Sequence, residues 1–377
     1  PELFEAIKDR VEEGRWELIG GMWVEADTNM PGAESLVRQI LLGRRFFREH
    51  FGDKETPVLW LPDVFGLTWS LPQLMKQAGL HWFMTNKPSW NQYNQMPAST
   101  TWWEGIDGTR VLAHFLTTPR DVQHLPFPTN YKSDLTAEEV IGTWEGSTVK
   151  EHLSDLPICF GYGDGGGGPT GQLIRRANAY KNMPGAPKVE FSTVRTFFEK
   201  IEPQSAALPV WAGEFYLEGH RGVLTSQGWI KRANRSTEAA LTIADFLAAL
   251  AVDTKAADAN RVDLDLAWKR LCLNQFHDIL PGTSITEVFD DARKDFDVIA
   301  DLVERVSERS INAVAGGDEL AVVNCHPRAV NRLLEIQDNP SSIGDQGGVQ
   351  TTKNGALVRL GSVPPWSISK ITAEAPE

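Results

Sequence analysis

The residues best suited to chemistry are acids and a histidine placed at the ends of apolar runs. Asp63 sits in Leu61-Pro62-Asp63-Val64-Phe65-Gly66, directly after the apolar Val58-Leu59-Trp60. A carboxylate where a buried strand ends is poorly explained by packing, and in barrel-type α/β enzymes catalytic groups project from the C-terminal ends of strands. Asp is also common as a cap at strand-to-helix turns, and for a lone Asp that reading stays open. Asp164 lies in Gly163-Asp164-Gly165-Gly166-Gly167-Gly168-Pro169-Thr170, again after an apolar run. Such a loop can cradle phosphate, but the P-loop lysine is absent and a run of glycines meets G-x-G-x-x-G trivially. It can instead let a ligand approach the backbone beside one carboxylate, or simply be a solvent loop.

His277 and Asp278 lie in Asn274-Gln275-Phe276-His277-Asp278-Ile279-Leu280-Pro281-Gly282-Thr283, where polar groups crowd an otherwise apolar helix end. A lone His there is commonly a satisfied imidazole, yet imidazole and carboxylate are also metal ligands. No two of the eight histidines are spaced H-x-H, H-x-x-H or H-x-x-x-H, so a metal site built from one local segment is not expected. The stretch from Glu214 to Gly222, with Glu218, His220 and Arg221, carries both charge signs at a strand end. It suits the fixing of hydroxyl groups and, equally, a surface ion pair. Trp82, Trp90, Tyr93, Trp102 and Trp103 offer aromatic faces to a cleft, although at least half of them are expected to fill the core.

The elements that must position these groups follow from periodicity. Leu3, Phe4, Ile7 and Val11 share one helical face up to Gly14, and Trp16 to Val24 reads as a strand. A helix is expected from Glu34 to about Phe51, then the strand before Asp63, a helix over 71–78 and a strand over 81–84. Thr136 and Glu139 form a capping box that opens a helix to about Gly146. A strand from Pro157 to Gly161 and helices over 172–180 and 192–201 complete an alternation that implies parallel βαβ units. The fold class expected is an α/β domain of parallel strands, like an incomplete βα-barrel, over 1–225. Three helical stretches over 226–316 read as an all-α three-helix bundle. Short apolar runs over 317–377 read as the start of a β-sandwich.

The bulk numbers narrow the function classes. The chain has 377 residues, 41% hydrophobic and 23% charged, with a net charge of -13. That acidity argues against nucleic acid or an anionic membrane as partner. Cys159, Cys272 and Cys325 make neither a disulfide framework nor a CxxC site, which fits a reducing compartment. The longest apolar stretch, Leu241 to Val252, is interrupted by Asp245 and falls short of the roughly 20 residues that span a bilayer.

With these residues assembled, the chain resembles the α-mannosidases of glycoside hydrolase family 38, of the group that includes cytosolic and bacterial enzymes. The resemblance rests on Gly20 to Asp27, Glu34 to Gln39, Leu61 to Gly66, Lys87 to Asn94, Trp102 to Gly108, Gly163 to Thr170, Glu214 to Gln227 and Asn274 to Thr283, in the family's order. It implies retaining, exo-acting hydrolysis of α-mannosides with one zinc ion. The residue matching Asp63 is the nucleophile and a metal ligand, His277 matches a zinc ligand, and Asp278 matches a group that contacts substrate hydroxyls. Asp164 is the choice for general acid. Phe65, Lys87, Trp90, His220 and Arg221 are expected to bind substrate. Retention fits two carboxylates about 5 to 5.5 Å apart.

One departure stands out: no His-x-Asp occurs in this chain, whereas the family's first strand supplies two zinc ligands through that motif. The expectation is therefore an internal portion of a larger enzyme, with those ligands encoded upstream of Pro1. The partner expected is an α-mannoside, in the cytoplasm, with no nucleic acid or membrane and with a homo-oligomer left open. The competing expectations are a metal-dependent polysaccharide deacetylase and a catalytically inactive carbohydrate-binding fragment.

Overall fold

A computed structural model describes residues 2–96, 98–120, 128–315, 320–331, 333–336, 349–352, 355–359 and 361–371. Helices α1 (Glu2–Glu12) and α2 (Ala33–Phe51) lead into strand β1 (Val58–Leu61), the short β2 (Gly66–Leu67), helix α3 (Leu71–Gln77) and strand β3 (Trp82–Thr85). Strands β4 (Thr100–Glu104) and β5 (Arg110–Phe115), helices α4 (Ala137–Glu145), α5 (Gly171–Ala179) and α6 (Val194–Ile201), and strands β6 (Val210–Ala212) and β7 (Phe215–Tyr216) follow. Helices α7 (Gly228–Leu250), α8 (Ala257–Asn274) and α9 (Thr286–Ala315) precede strands β8 (Leu320–Asn324), β9 (Leu333–Ile336), β10 (Val349–Thr352), β11 (Gly355–Arg359) and β12 (Ser367–Ile371).

Strands β1, β3 and β5 of the site-bearing sheet bury apolar side chains on both faces, and that explains their hydrophobic runs. Leu59, Leu61, Phe83, Ala113 and Phe115 point to one core, shared with Ile40, Leu71, Met75, Leu80 and Trp103. Val58, Trp82, Met84 and Leu112 point to the other, shared with Phe197, Phe198 and Ile201 of α6. The Trp82 and Phe198 rings stack 5.6 Å apart at 2°. Each such large side chain contributes about 1.5–3 kcal/mol by leaving water.

The sheet runs β1-β3-β5-β4-β6. Strands β1, β3 and β5 pair in parallel, β4 turns back antiparallel on β5, and β6 runs parallel to β4. The barrel-like expectation is therefore met by an open sheet that contains one hairpin. Two expected strands are also absent as such. Over Trp16–Val24, Gly20 and Gly21 take positive φ of 112° and 83°, which breaks an extended run. The N–H groups of Trp23 and Val24 instead donate to Gln39, to its carbonyl at 2.7 Å and to Oε1 at 3.2 Å. Over Pro157–Gly161 the only ladder contact among the described residues is an isolated bridge between Phe160 and Ser133. The capping box forms as expected: Glu139 N–H donates to Thr136 Oγ1 at 3.2 Å and Thr136 N–H to Glu139 Oε2 at 3.0 Å.

Contacts group the chain into two units, Pro1–Arg235 with Cys272–Ala292, and Ser236–Leu271 with Arg293–Glu377. The first holds the sheet and the segment bearing His277. Within the second, Trp268 Nε1 donates to Asp245 Oδ2 at 2.9 Å and Asn260 Nδ2 to Ser310 Oγ at 2.9 Å, which ties its three helical stretches together. Its strands form an antiparallel β8–β12 pair and a β10-β11-β9 sheet. Among the described residues, no helix is long and apolar enough to cross a membrane.

Candidate active site

Strand β1 ends at Leu61, and Pro62 denies the ladder a donor. Asp63 then projects from the strand end. It caps no helix: α3 starts from Ser70, and the Asp63 carboxylate is engaged elsewhere. Its Oδ1 lies 2.9 Å from Lys87 Nζ, an ion pair without good hydrogen-bond geometry, and its Oδ2 accepts from the Tyr131 hydroxyl at 2.5 Å. Lys87 comes from a 3-10 turn, Lys87–Trp90, that follows β3.

A second strand-like contact brings the metal-type ligands together. Ala26 and Phe276 bridge antiparallel, with Asp27 N–H donating to the Gln275 carbonyl at 2.9 Å and His277 N–H to the Glu25 carbonyl at 3.1 Å. His277 Nδ1 is thereby 3.6 Å from Glu25 Oε2, and Glu25 Oε1 accepts from Asp63 N–H at 2.5 Å. Glu25, Asp63 and His277 each offer a ligand atom, all within 4.8 Å of one another. Burial, with the charge of Asp63 adding to it, pushes the Glu25 carboxyl up to about 8, while the Asp63 N–H pulls against the shift. Two carboxylates and an imidazole facing each other in a partly desolvated site fit a divalent cation such as zinc, whose charge would favour ionised oxygens there.

Asp164 reaches the same place from the glycine loop. Gly163 has φ of +60°, and a Cβ there would lie 2.9 Å from the Tyr131 ring and 3.0 Å from Lys132, so glycine is required for close approach. Asp164 itself takes φ of +47°. Its carboxylate pairs with Lys132 Nζ and lies 2.5 Å from the Tyr131 hydroxyl. Lys132 first, and Tyr131 second, hold Asp164 below the usual carboxylate range. Burial and the two adjoining carboxylates push the Tyr131 phenol far up, so it stays protonated. One hydroxyl has one proton, so Tyr131 donates to Asp63 or to Asp164 but not to both at once. The bridge limits the two carboxylate oxygens to a separation of at most about 5.0 Å, the sum of the two contacts.

The remaining expected site residues divide. The Phe65 ring packs 4.7 Å from His220 and 6.3 Å edge-on from His277. His220 keeps a buried Nδ1 with no hydrogen-bond partner among the described residues. Asp278 Oδ2 is 3.5 Å from His277 Nε2, and its Oδ1 accepts from Thr283 Oγ1 at 2.6 Å. Trp90 is less available than expected: Nε1 donates to the Thr129 carbonyl at 2.7 Å and Lys87 Nζ sits 4.1 Å over the ring. Arg221 turns to Tyr216, donating to its hydroxyl at 3.3 Å. Trp82 and Trp103 fill the core, whereas Tyr93 is 80% exposed.

Three groups escaped the sequence reading. Glu25 stood only as one letter of a motif, and Tyr131 and Lys132 lie in no motif at all. Only the polar Asn130-Tyr131-Lys132-Ser133 run before the α4 cap marked that place.

The profile of "Glycosyl hydrolases family 38 N-terminal domain" matches residues 1–214, and that of "Alpha mannosidase middle domain" matches residues 218–314. Alpha-mannosidase G of Dictyostelium discoideum is 34% identical over 98% of this chain and 36% of its own length. Alpha-mannosidase 2C1 of Homo sapiens is 36% identical over 100% of this chain and 35% of its own length. The chain thus spans about a third of the length of these curated relatives. An alpha-mannosidase crystal structure from Enterococcus faecalis V583 superposes with a TM-score of 0.76 at 18% identity, covering 98% of this chain and 49% of that one, and so shares the fold. On the profile match over residues 1–214 and these relatives, the chain belongs to glycosyl hydrolases family 38.

Proposed function

We propose that the site serves zinc-dependent hydrolysis of α-mannosides with retention of configuration. The observation that carries this reading is the Tyr131 bridge, which keeps the nearest oxygens of Asp63 and Asp164 within about 5.0 Å. Retaining glycosidases need carboxyl groups about 5–5.5 Å apart, whereas inverting ones leave about 6.5–9.5 Å for a water.

In this reading Asp63 attacks the anomeric carbon while Asp164 gives its proton to the leaving oxygen. Asp164 then takes a proton from the water that frees the sugar from Asp63. Lys132 and Tyr131 hold Asp164 low in this arrangement, so this reading requires an entering glycoside to displace the Lys132 ammonium for Asp164 to take up its proton. Tyr131 keeps its own proton and steadies whichever carboxylate is ionised. Lys87 offers a fixed positive charge beside Asp63. Phe65 and His220 wall the sugar, and Asp278 accepts from its hydroxyls. Zinc held by Asp63 and His277, with Glu25 adjoining, would orient sugar hydroxyls and stabilise charge. The deacetylase alternative is disfavoured, since it calls for a second histidine beside the first and the cluster Glu25, Asp63, His277 has one. Cys159, Cys272 and Cys325, widely spaced and with no CxxC pair, fit action in a reducing compartment such as the cytoplasm.

The test is the hydrolysis of 4-nitrophenyl α-mannoside followed by proton NMR. The α-anomer of mannose is expected first, and Asp63→Asn is expected to abolish turnover while leaving the circular dichroism spectrum unchanged. Release of the β-anomer first, or normal turnover by the variant, would overturn the assignment.

A further inference from the structure

Glu218 is a buried carboxylate that the proposed reaction leaves unused; the residue is 9% exposed. Its Oε2 accepts from Tyr93 N–H at 2.9 Å, and its Oε1 accepts from Asn94 N–H at 3.1 Å and from Asn94 Nδ2. Its own N–H donates to Asn91 Oδ1 at 2.8 Å, and Asn91 Nδ2 donates to the Tyr216 carbonyl at 3.0 Å and the Asn94 carbonyl at 3.1 Å. The loop 91–95 therefore closes around an internal anion, with successive backbone N–H groups forming a concave donor cup. These bonds, that from Tyr93 N–H foremost, hold the carboxyl below its usual range.

Three segments of the site converge on that anion. The loop continues directly from the 3-10 turn that aims Lys87 at Asp63, 2.9 Å away. Glu218 opens the 3-10 segment Glu218–Leu224 that carries His220 against Phe65. Leu217 N–H donates to the Phe65 carbonyl at 2.7 Å, extending the β2–β7 pairing two residues after Asp63. Residues 92–95 are all exposed, so apolar packing does not set the position of the loop. Polar bonds to Glu218 and Asn91 do.

We propose that Glu218 is a positioning residue: a fixed internal anion that sets loop 91–95 and, through it, the approach of Lys87 to Asp63, while its own segment seats His220 against Phe65. Its kinetic consequence rests on the α-mannosidase reading, while its structural consequence does not. A residue that merely adds stability predicts a lower melting temperature and no response to small anions. A positioning anion predicts chemical rescue, because Glu218→Ala leaves the donor cup open for formate.

The experiment has two arms. Chymotrypsin cleavage after Tyr93, followed by mass spectrometry, is expected to quicken roughly tenfold to a hundredfold in Glu218→Ala, the range set by losing hydrogen bonds to a charged group. Formate should slow it again, and chloride at equal ionic strength should not. kcat/KM for 4-nitrophenyl α-mannoside should fall by a similar factor and recover severalfold with formate. Glu218→Gln, which fills the cup with an amide, should be intermediate and deaf to formate, and it serves as the working variant if the Ala protein does not fold. Wild-type cleavage at Tyr93 in both variants, or cleavage and turnover both insensitive to formate in Glu218→Ala, would overturn the proposal. Absence of any mannoside hydrolysis by the unsubstituted protein would count against the α-mannosidase reading, and the proteolysis arm would still decide the role of Glu218.

Discussion

Tyr131→Phe isolates the bridge between the two carboxylates. The substitution deletes one oxygen and leaves the ring, which packs against the α6-side core, in place. Although two contacts of 2.5 Å are lost, the hydroxyl has one proton, so the energy at stake is that of one charge-assisted bond. Such a bond contributes about 1.5–3 kcal/mol, and at about 1.4 kcal/mol per decade kcat/KM should fall by roughly 10- to 150-fold. The pH profile carries a second signature. Tyr131 helps Lys132 to hold Asp164 low, so its removal lets the Asp164 carboxyl titrate at higher pH. A general acid acts only while protonated, and activity is lost as pH rises through its pKa. The alkaline limb should therefore shift upward in Tyr131→Phe. The assay is kcat/KM for 4-nitrophenyl α-mannoside across pH, alongside a thermal melt that should move little. An unchanged kcat/KM, or an alkaline limb that moves down, would refute the assignment of Tyr131 as the bridge between nucleophile and acid.

Two further outcomes follow from the same geometry. Glu25 has its folded pKa raised from 4.5 to about 8, so in the absence of metal its contribution to stability is full below about 4.5 and is lost as pH rises toward 8. Denaturant midpoints in a chelator should fall across that window and level off above it, and Glu25→Gln should flatten the dependence; an equally steep slope in the variant would disprove it. Gly163→Ala places a Cβ 2.9 Å from the Tyr131 ring at a φ of +60°. The left-handed backbone alone costs about 1–2 kcal/mol, and displacement of Asp164 should lower kcat/KM further than the melting shift accounts for. Proportionate losses of stability and activity would show that the close approach is unimportant.

Much of the framework was legible because it is local. The α4 capping box needs only Thr136 and Glu139 three residues apart, and both of its bonds are present. The apolar runs of β1 and β3 announced strands buried on two faces, and Asp63 stands at the end of the first. Where local signals misled, backbone demands were met in another way. The Trp16–Val24 run is apolar enough for a strand, but Gln39 takes its N–H groups and Gly20-Gly21 turns it. The β4–β5 hairpin, set among parallel strands, depends on a turn at Gly105–Gly108 whose significance no periodicity conveyed.

The amino-acid order by itself determined the main helices and the buried strands β1 and β3, that an acid ends β1, and the family to which the motifs belong. Only the tertiary structure decided what that acid touches. Tyr131 is 68 residues from Asp63 and 33 from Asp164, Glu25 is 38 from Asp63, and His277 is 252 from Glu25. Such separations carry no periodic signal. They close because the Ala26–Phe276 bridge, the glycine at 163 and the parallel β1–β3 pairing each fix a backbone path that brings distant side chains together. Propensity and capping act over a few residues, whereas the chemistry of this site depends on where distant backbones come to rest.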